Sequence, residues 1–369
     1  MPAASVILYC RPGFESECAQ EIAAVALTAA LTGQVRSAPL AGFVEYRLVD
    51  DLAAAAPAKR DIFDVRHLIF ARQSLLAFAQ IEQLPRADRL TPIIAALTEH
   101  GERYSDAWVE APDTDEGKAL APFCKSFGNA LIGALKRAHL LDPPAPGGSP
   151  SAAEAMHGRE RPPRRLHAFF PQSDNVYLAA ADPATSAPWP QGIPRLKFPR
   201  EAPSRSTLKL DEALLVLLDE AERARWLTPG MSAVDLGAAP GGWTWQFVRR
   251  SMRVAAVDNG PMDRKLMDSG LVTHLREDGF RYRPRKAVDW LVCDMVEQPR
   301  RVAELVARWL EQGWCKRAIF NLKLPMKKRY EETQRCLDLV RRVSADVRAK
   351  QLYHDREEIT AFAAAARRG

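Results

Sequence analysis

Val234-Asp235-Leu236-Gly237-Ala238-Ala239-Pro240-Gly241-Gly242-Trp243 decides the fold: an apolar strand runs straight into a loop of small residues. Glycine and alanine let the backbone turn sharply and come close to a ligand. Pro240, at the threshold of a helix, leaves amide N–H groups exposed at the helix's positive end. The spacing is not the G-x-G-x-x-G that cradles a pyrophosphate, and the Lys-Ser/Thr of a P-loop is missing, which weakens a nicotinamide or nucleoside triphosphate reading. A strand–turn–helix junction whose glycines serve only packing has the same local pattern, so the downstream residues must decide.

Arg253-Val254-Ala255-Ala256-Val257-Asp258 reads as a short strand ending in a carboxylate, with Asn259-Gly260-Pro261 as its turn. An acid at the tip of a second strand can accept both hydroxyls of a ribose, which makes Asp258 the expected ribose contact. Residues 272–280 read as a third strand with Asp278 at its end, where an acceptor could meet an adenine amino group; a solvated turn residue fits Asp278 nearly as well. Residues 288–295 form a fourth strand, buried in character, that finishes at Asp294. Carboxylates at the carboxyl ends of successive parallel strands converge on the crevice where such sheets bind ligands.

A fifth strand, Arg317-Ala318-Ile319-Phe320-Asn321-Leu322-Lys323-Leu324-Pro325, sets Lys323 in an apolar run. A lysine so placed is rare unless paired or used, although a snorkelling side chain at a strand end reads the same way. Lys209 stands at the start of an amphipathic helix, where periodicity alone puts it in solvent. Glu357 and Glu358 precede the last recognisable strand.

The loop at 235–243 resembles the first motif of Rossmann-like S-adenosylmethionine-dependent methyltransferases, in the Pro-Gly-Gly form of RNA ribose methyltransferases. Cys10-Arg11-Pro12-Gly13-Phe14-Glu15, residues 192–206, Asp294-Met295-Val296-Glu297 and residues 321–327 extend the resemblance over nearly the whole chain. The chain is similar to the bacterial 23S ribosomal RNA 2′-O-ribose methyltransferases of the RlmE-like family, whose catalytic group is Lys-Asp-Lys-Glu. The resemblance implies that Lys323 is the general base, that Asp294 and Lys209 are its partners, and that Glu358 is the fourth member; a one-residue slip would substitute Glu357. It implies S-adenosylmethionine contacts from Gly237, Ala239, Pro240, Gly241, Gly242, Asp258, Asp278 and Asp294, with Ser206 from the linker side. It also implies cytidine 2498 of 23S ribosomal RNA as the target.

The expected fold is α/β. A Rossmann-like class I methyltransferase domain at 206–369, with a seven-stranded, mostly parallel sheet, follows a ferredoxin-like unit at 1–52, a THUMP RNA-binding domain at 53–182 and a linker at 183–205. In the amino-terminal half, strands are expected at 6–9, 42–48, 62–72, 107–111, 165–170 and 176–181, and helices at 15–31, 90–100 and 119–138. The Pro/Gly/Ser-rich residues 142–163 are expected to form a mobile insertion.

The chemistry explains the residue types. A ribose 2′-hydroxyl is a poor nucleophile at neutral pH, so its proton must leave as it attacks the methyl carbon. A lysine can take that proton only if a fraction is neutral, and burial beside a second ammonium lowers its pKa. No metal is required. A base methyltransferase would want an Asn/Asp-Pro-Pro-Tyr loop or a catalytic cysteine after the fourth strand, and Asp294-Met295-Val296-Glu297 offers neither. A non-catalytic RNA-binding protein with a methyltransferase-like shell stays the competing class.

With 369 residues, the chain has room for two or three domains, and its net charge of +6 favours a polyanionic partner. Basic clusters stand at 159–165, at Lys197, Arg200 and Arg205, and at Lys323 with Lys327, Lys328 and Arg329. The six cysteines lack C-x-x-C spacing, which argues against a zinc site or a disulfide framework. Neither a secretory signal nor an apolar run of membrane length is visible, so a soluble, cytoplasmic protein is expected, and a monomer is the expected state.

Overall fold

A computed structural model describes residues 5–49, 62–142, 164–183 and 185–366. Most of the expected insertion at 142–163 lies outside these residues. The chain divides into two compact units, Met1–Ile193 and Pro194–Gly369.

In the amino-terminal unit, β1 (Ser5–Cys10), α1 (Glu15–Thr28), β2 (Gly33–Ser37), β3 (Phe43–Leu48) and β4 (Ala71–Ile81) are followed by α2 (Leu90–His100), β5 (Tyr104–Glu110), α3 (Asp115–Ala119), α4 (Ala121–Arg137), β6 (Arg164–Gln172) and β7 (Asn175–Ala181). One seven-stranded sheet, ordered β2-β3-β1-β4-β7-β6-β5, runs through the unit, with β4 hydrogen-bonded to both β1 and β7. Ile93 and Leu97 of α2 and Leu131 and Leu135 of α4, at helical spacing, pack with Leu166, Phe170 and Leu178 of the sheet.

The helix expected at 15–31 ends at Thr28, the one expected at 119–138 is two helices that break at Leu120, and two further differences from the sequence reading have a plain physical cause. The run at 62–72 is no strand until Ala71: Asp64 caps a single turn of 3₁₀ helix at Val65–His67, and the amides of Ile69 and Phe70 donate to the buried Glu21 carboxylate at 2.6 and 2.9 Å. An apolar run can be buried without being paired when a side chain takes its backbone donors. The edge strand β2, Gly-Gln-Val-Arg-Ser, went unforeseen because an exposed edge needs no apolar alternation.

The carboxyl-terminal unit contains α5 (Thr207–Val216), α6 (Glu220–Trp226), β8 (Ser232–Leu236), α7 (Gly242–Val248), β9 (Arg253–Val257), α8 (Arg264–Met267), β10 (Val272–Leu275), β11 (Val288–Cys293), α9 (Pro299–Glu311), β12 (Cys315–Lys323), α10 (Arg329–Arg341), β13 (Asp346–Lys350) and β14 (Glu358–Ala364). Its sheet order is β10-β9-β8-β11-β12-β14-β13. Strands β8 to β12 run parallel, and β14 inserts antiparallel between β12 and β13. This is a Rossmann-like, mostly parallel, seven-stranded sheet. Strand order reverses between β8 and β11, which opens a crevice at their carboxyl ends. Leu210, Leu214, Trp243, Phe247, Trp290, Ile319 and Phe362 fill the core beneath.

The third strand stops at Leu275, short of the expected 280, because Asp278 accepts the Phe280 amide at 2.8 Å and turns the chain. Strand β13 was not anticipated, and neither was the interposition of β14. Among the described residues, no helix is long and apolar enough to cross a membrane.

Candidate active site

The loop after β8 is held by its backbone. Gly237 adopts φ +77°, and a Cβ there would stand 2.7 Å from Met295 Cγ. Its amide donates to the Val257 carbonyl at 3.0 Å, tying the loop to the end of β9. Gly241 caps α7, so the helix starts at Gly242 and Pro240 precedes it by two residues. A Cβ on Gly242 would collide with the Ser204 and Ser206 hydroxyls, which are 2.7 Å apart. Glycine at 242 thus admits the chain carrying Ser206.

Beside this loop lies a cleft of about 540 Å³. Of the expected cofactor contacts, Gly237, Ala239, Asp258, Asp278 and Asp294 line it, together with Asn259, Phe280, Met295, Val296 and Glu297, which sequence reasoning missed. Pro240, Gly241, Gly242 and Ser206 do not line it. Asp258 braces the loop as well as facing the cleft: its carboxylate accepts from Ala239 N at 3.0 Å and Gly260 N at 2.7 Å. Carboxylate oxygens have lone pairs to spare for further donors.

Asp235, at the base of the loop, is fully buried and accepts from the Thr244 hydroxyl at 2.6 Å. Burial, with that hydrogen bond opposing and the charges of Asp294 and Asp258 adding, pushes its carboxyl up to about 7. Its position inside an apolar strand gave no sign of this.

At the mouth of β11 and β12 four side chains close a ring. Lys323 Nζ donates to Asp294 Oδ1 at 2.9 Å and to Glu358 Oε2. Lys209 Nζ pairs with Glu358 Oε1 and lies 3.5 Å from Asp294 Oδ2. Glu358 is the register partner of Lys323 across β12 and β14, and its side chain is 4% exposed. Glu357 points the other way, is 68% exposed and pairs with Arg329 at 2.6 Å. Lys209, which periodicity placed in solvent, is 17% exposed, because Thr207, Leu208, Leu210, Glu212, Ala213 and Leu214 bury α5 nearly all round.

The electrostatics correct the expectation of a depressed lysine. Burial pulls the Lys323 pKa down, but the Asp294 charge and the Glu358 hydrogen bond and charge outweigh it, and the net shift is upward. The Lys209 ammonium does not reverse that balance. Burial likewise opposes ionisation of Glu358, and hydrogen bonds from Lys209 and Lys323 more than offset it, so its carboxyl titrates below the usual range.

All six cysteines are buried free thiols. Burial pushes the Cys293 thiol up to about 12, away from the thiolate that nucleophilic base methylation would need. Of the expected basic clusters, Lys197, Arg200, Arg205, Lys327 and Lys328 are exposed, while Arg165 stacks 3.7 Å from the Trp108 ring centroid and Arg164 reaches Glu102 at 3.5 Å.

Three family models match the chain: the RlmM ferredoxin-like domain over residues 3–75, the N-terminal domain of ribosomal RNA large subunit methyltransferase M over 88–182, and FtsJ-like methyltransferase over 202–339. A ribosomal RNA large subunit methyltransferase M from Xanthomonas axonopodis pv. citri (strain 306) is 52% identical over 362 residues, covering 97% of this chain and 98% of its own. The protein of that name from Xanthomonas oryzae pv. oryzae (strain PXO99A) is 53% identical with the same coverage. On this similarity, which covers 97% of the chain, the chain belongs to the ribosomal RNA large subunit methyltransferase M family.

Proposed function

We propose that this enzyme methylates a ribose 2′-hydroxyl of 23S ribosomal RNA, at cytidine 2498, with Lys323 as the general base. The observation that carries the reading is the closed ring of Lys209, Asp294, Lys323 and Glu358 beside the Gly237 cleft. The cleft suits S-adenosylmethionine: its volume is that of a small-molecule site, Gly237 leaves the loop without a side chain, and acceptors stand along one side. Asp258 would take the ribose hydroxyls and Asp278 the adenine amino group. When bound, S-adenosylmethionine supplies a methyl group on a positively charged sulfur.

The ring then has two tasks. Asp294 and Glu358 hold Lys323 Nζ in place, and Lys209 keeps the ring's charge balanced at two cations against two carboxylates. Lys323 must shed its proton to accept one from the ribose hydroxyl. With its pKa held above the usual lysine value by Asp294 and Glu358, only a small fraction of Lys323 is neutral near neutral pH. Turnover therefore climbs about tenfold per pH unit through the stable range, and a plateau near pH 7 would speak against this base. Ala at position 323 removes it: Lys323→Ala should lower kcat at least ~10²-fold while S-adenosylmethionine binding, followed calorimetrically, survives. Wild-type methylation by that variant would end the assignment. Mapping 2′-O-methylation of ribosomal RNA with and without the enzyme tests the nucleotide.

The same reading gives RNA capture to the amino-terminal half, with 1–52 as the ferredoxin-like unit and 53–182 as the THUMP domain, and takes the enzyme to be a cytoplasmic monomer.

A further inference from the structure

Behind Asp294 lies a second set of polar side chains that the ring does not include. Asn321, Thr360 and Asp355 are between 0 and 1% exposed. Asn321 is two residues before Lys323 on β12, and Thr360 two after Glu358 on β14; the two residues are register partners, as are Lys323 and Glu358. A residue and the one two away share a sheet face, so one cross-strand pair reacts and the next one backs it. Asn321 Nδ2 donates to Asp294 Oδ1 at 2.8 Å. Thr360 Oγ1 lies 2.6 Å from Asn321 Oδ1, and 3.0 and 3.1 Å from the two carboxyl oxygens of Asp355.

These contacts can be satisfied only with a specific number of protons. Asn321 gives its amine to Asp294, so its oxygen faces Thr360 and can only accept. Turning the amide over would set that oxygen against the Asp294 carboxylate. The Thr360 hydroxyl has a single proton, which serves one of its two contacts. The other needs a proton from the far side, and only Asp355 can bring it.

We propose that Asp355 is held as the neutral carboxylic acid and that Asp355, Thr360 and Asn321 form a positioning relay that fixes Asp294 against Lys323. The acid donates to Thr360, the hydroxyl donates to Asn321, and the amide donates to Asp294. The other carboxyl oxygen of Asp355, Oδ2, accepts the Leu352 amide at 3.0 Å. Burial and the carboxylates around it favour the same state. Burial and the Glu358 charge push the Asp355 carboxyl well above the usual range and Glu212 adds to that, against the Leu352 amide hydrogen bond and the Lys209 charge, which oppose it without reversing it. Lys350 stands opposite Thr360 in the register of β13 with β14.

The consequence for catalysis rests on the reading of Lys323 as base. A neutral Asp355 leaves the ring balanced. An ionised one would add a third negative charge and hold the Lys323 proton more tightly.

The protonation state is read by difference infrared spectroscopy on the full-length enzyme. Above pH 8, where Asp235 has ionised, a carboxylic acid carbonyl band should persist in the wild type and vanish in Asp355→Asn. No such band above pH 8 overturns the proposal, whatever the variants do. Kinetics read the relay. Thr360→Val should lower kcat about 10- to 100-fold with KM for RNA and S-adenosylmethionine unchanged, and Thr360→Ser should restore it. Asp355→Asn, which keeps a neutral donor, should stay within about threefold of wild type, and Asp355→Ala should fall with Thr360→Val. Asp355→Asn as impaired as Asp355→Ala, at equal melting temperature, would show that an ionised carboxylate is needed. If Lys323→Ala stays active while the band persists, the base reading fails and the neutral acid stands.

Discussion

Asp235 shows how one buried carboxyl can set the pH response of the methyltransferase unit. Its unfolded-state pKa is near 3.9 and its folded one about 7, so between those values the folded state binds the extra proton. Stability from this residue is therefore fully present below about pH 4, falls as pH rises to 7 and levels off above it. Three units correspond to at most ~4 kcal/mol. Asp235→Asn keeps an acceptor for Thr244 and carries no charge, so its stability relative to wild type, measured by urea unfolding, should grow from pH 4.5 to 7.5 and then stay flat. A pH-independent difference would refute the buried-acid account. Glu357 and Glu358 make the complementary point: adjacent and identical in type, they differ only in the face a strand gives them, one in the ring and the other on Arg329.

At the scale of elements, the loop between β8 and α7 matters through its backbone. Gly237→Ala asks a Cβ to tolerate φ +77°, at about 1–2 kcal/mol, and also to push Met295 aside. S-adenosylmethionine affinity should drop about tenfold or more by calorimetry, while the ring lysines are untouched; unchanged affinity would mean that the loop does not hold the cofactor. Asp258, Asp294 and Lys323 were legible because parallel strands announce their carboxyl ends through apolar runs that stop at a polar residue, whereas Asp278 lies on a turn beyond the end of β10 at Leu275. Lys209 was legible only through the resemblance. A helix buried nearly all round has no polar face to reveal, and periodicity sends any lysine outward. Strand β14 was recognised but not placed, since an antiparallel insertion leaves no mark in local composition, and that placement is what faces Glu358 with Lys323 and Thr360 with Asn321.

For the whole molecule, a charge of +6 spread over 369 residues is a small excess, and what counts is where cations remain exposed. Lys327 and Lys328, just beyond the ring lysine in sequence, are exposed, whereas Arg329 is engaged by Glu357. Reversing both, Lys327→Glu with Lys328→Glu, should raise KM for RNA about tenfold at low salt and flatten its salt dependence, with S-adenosylmethionine affinity unchanged. An unaltered salt slope would remove these lysines from the RNA path. By itself the sequence determined the α/β class and the small-residue turn after β8, and through the resemblance it pointed to the four residues of the ring, because those are written in hydrophobic period, in glycine spacing and in blocks long enough to be matched. Only the tertiary structure decided the rest: that carboxylates outweigh burial at Lys323, that Glu358 rather than Glu357 closes the ring, and that Asn321, Thr360 and Asp355 stand behind it. Each of these depends on which side chains meet across strands distant in sequence, and charge and hydrogen bonding act through distance in space, of which local sequence carries no measure.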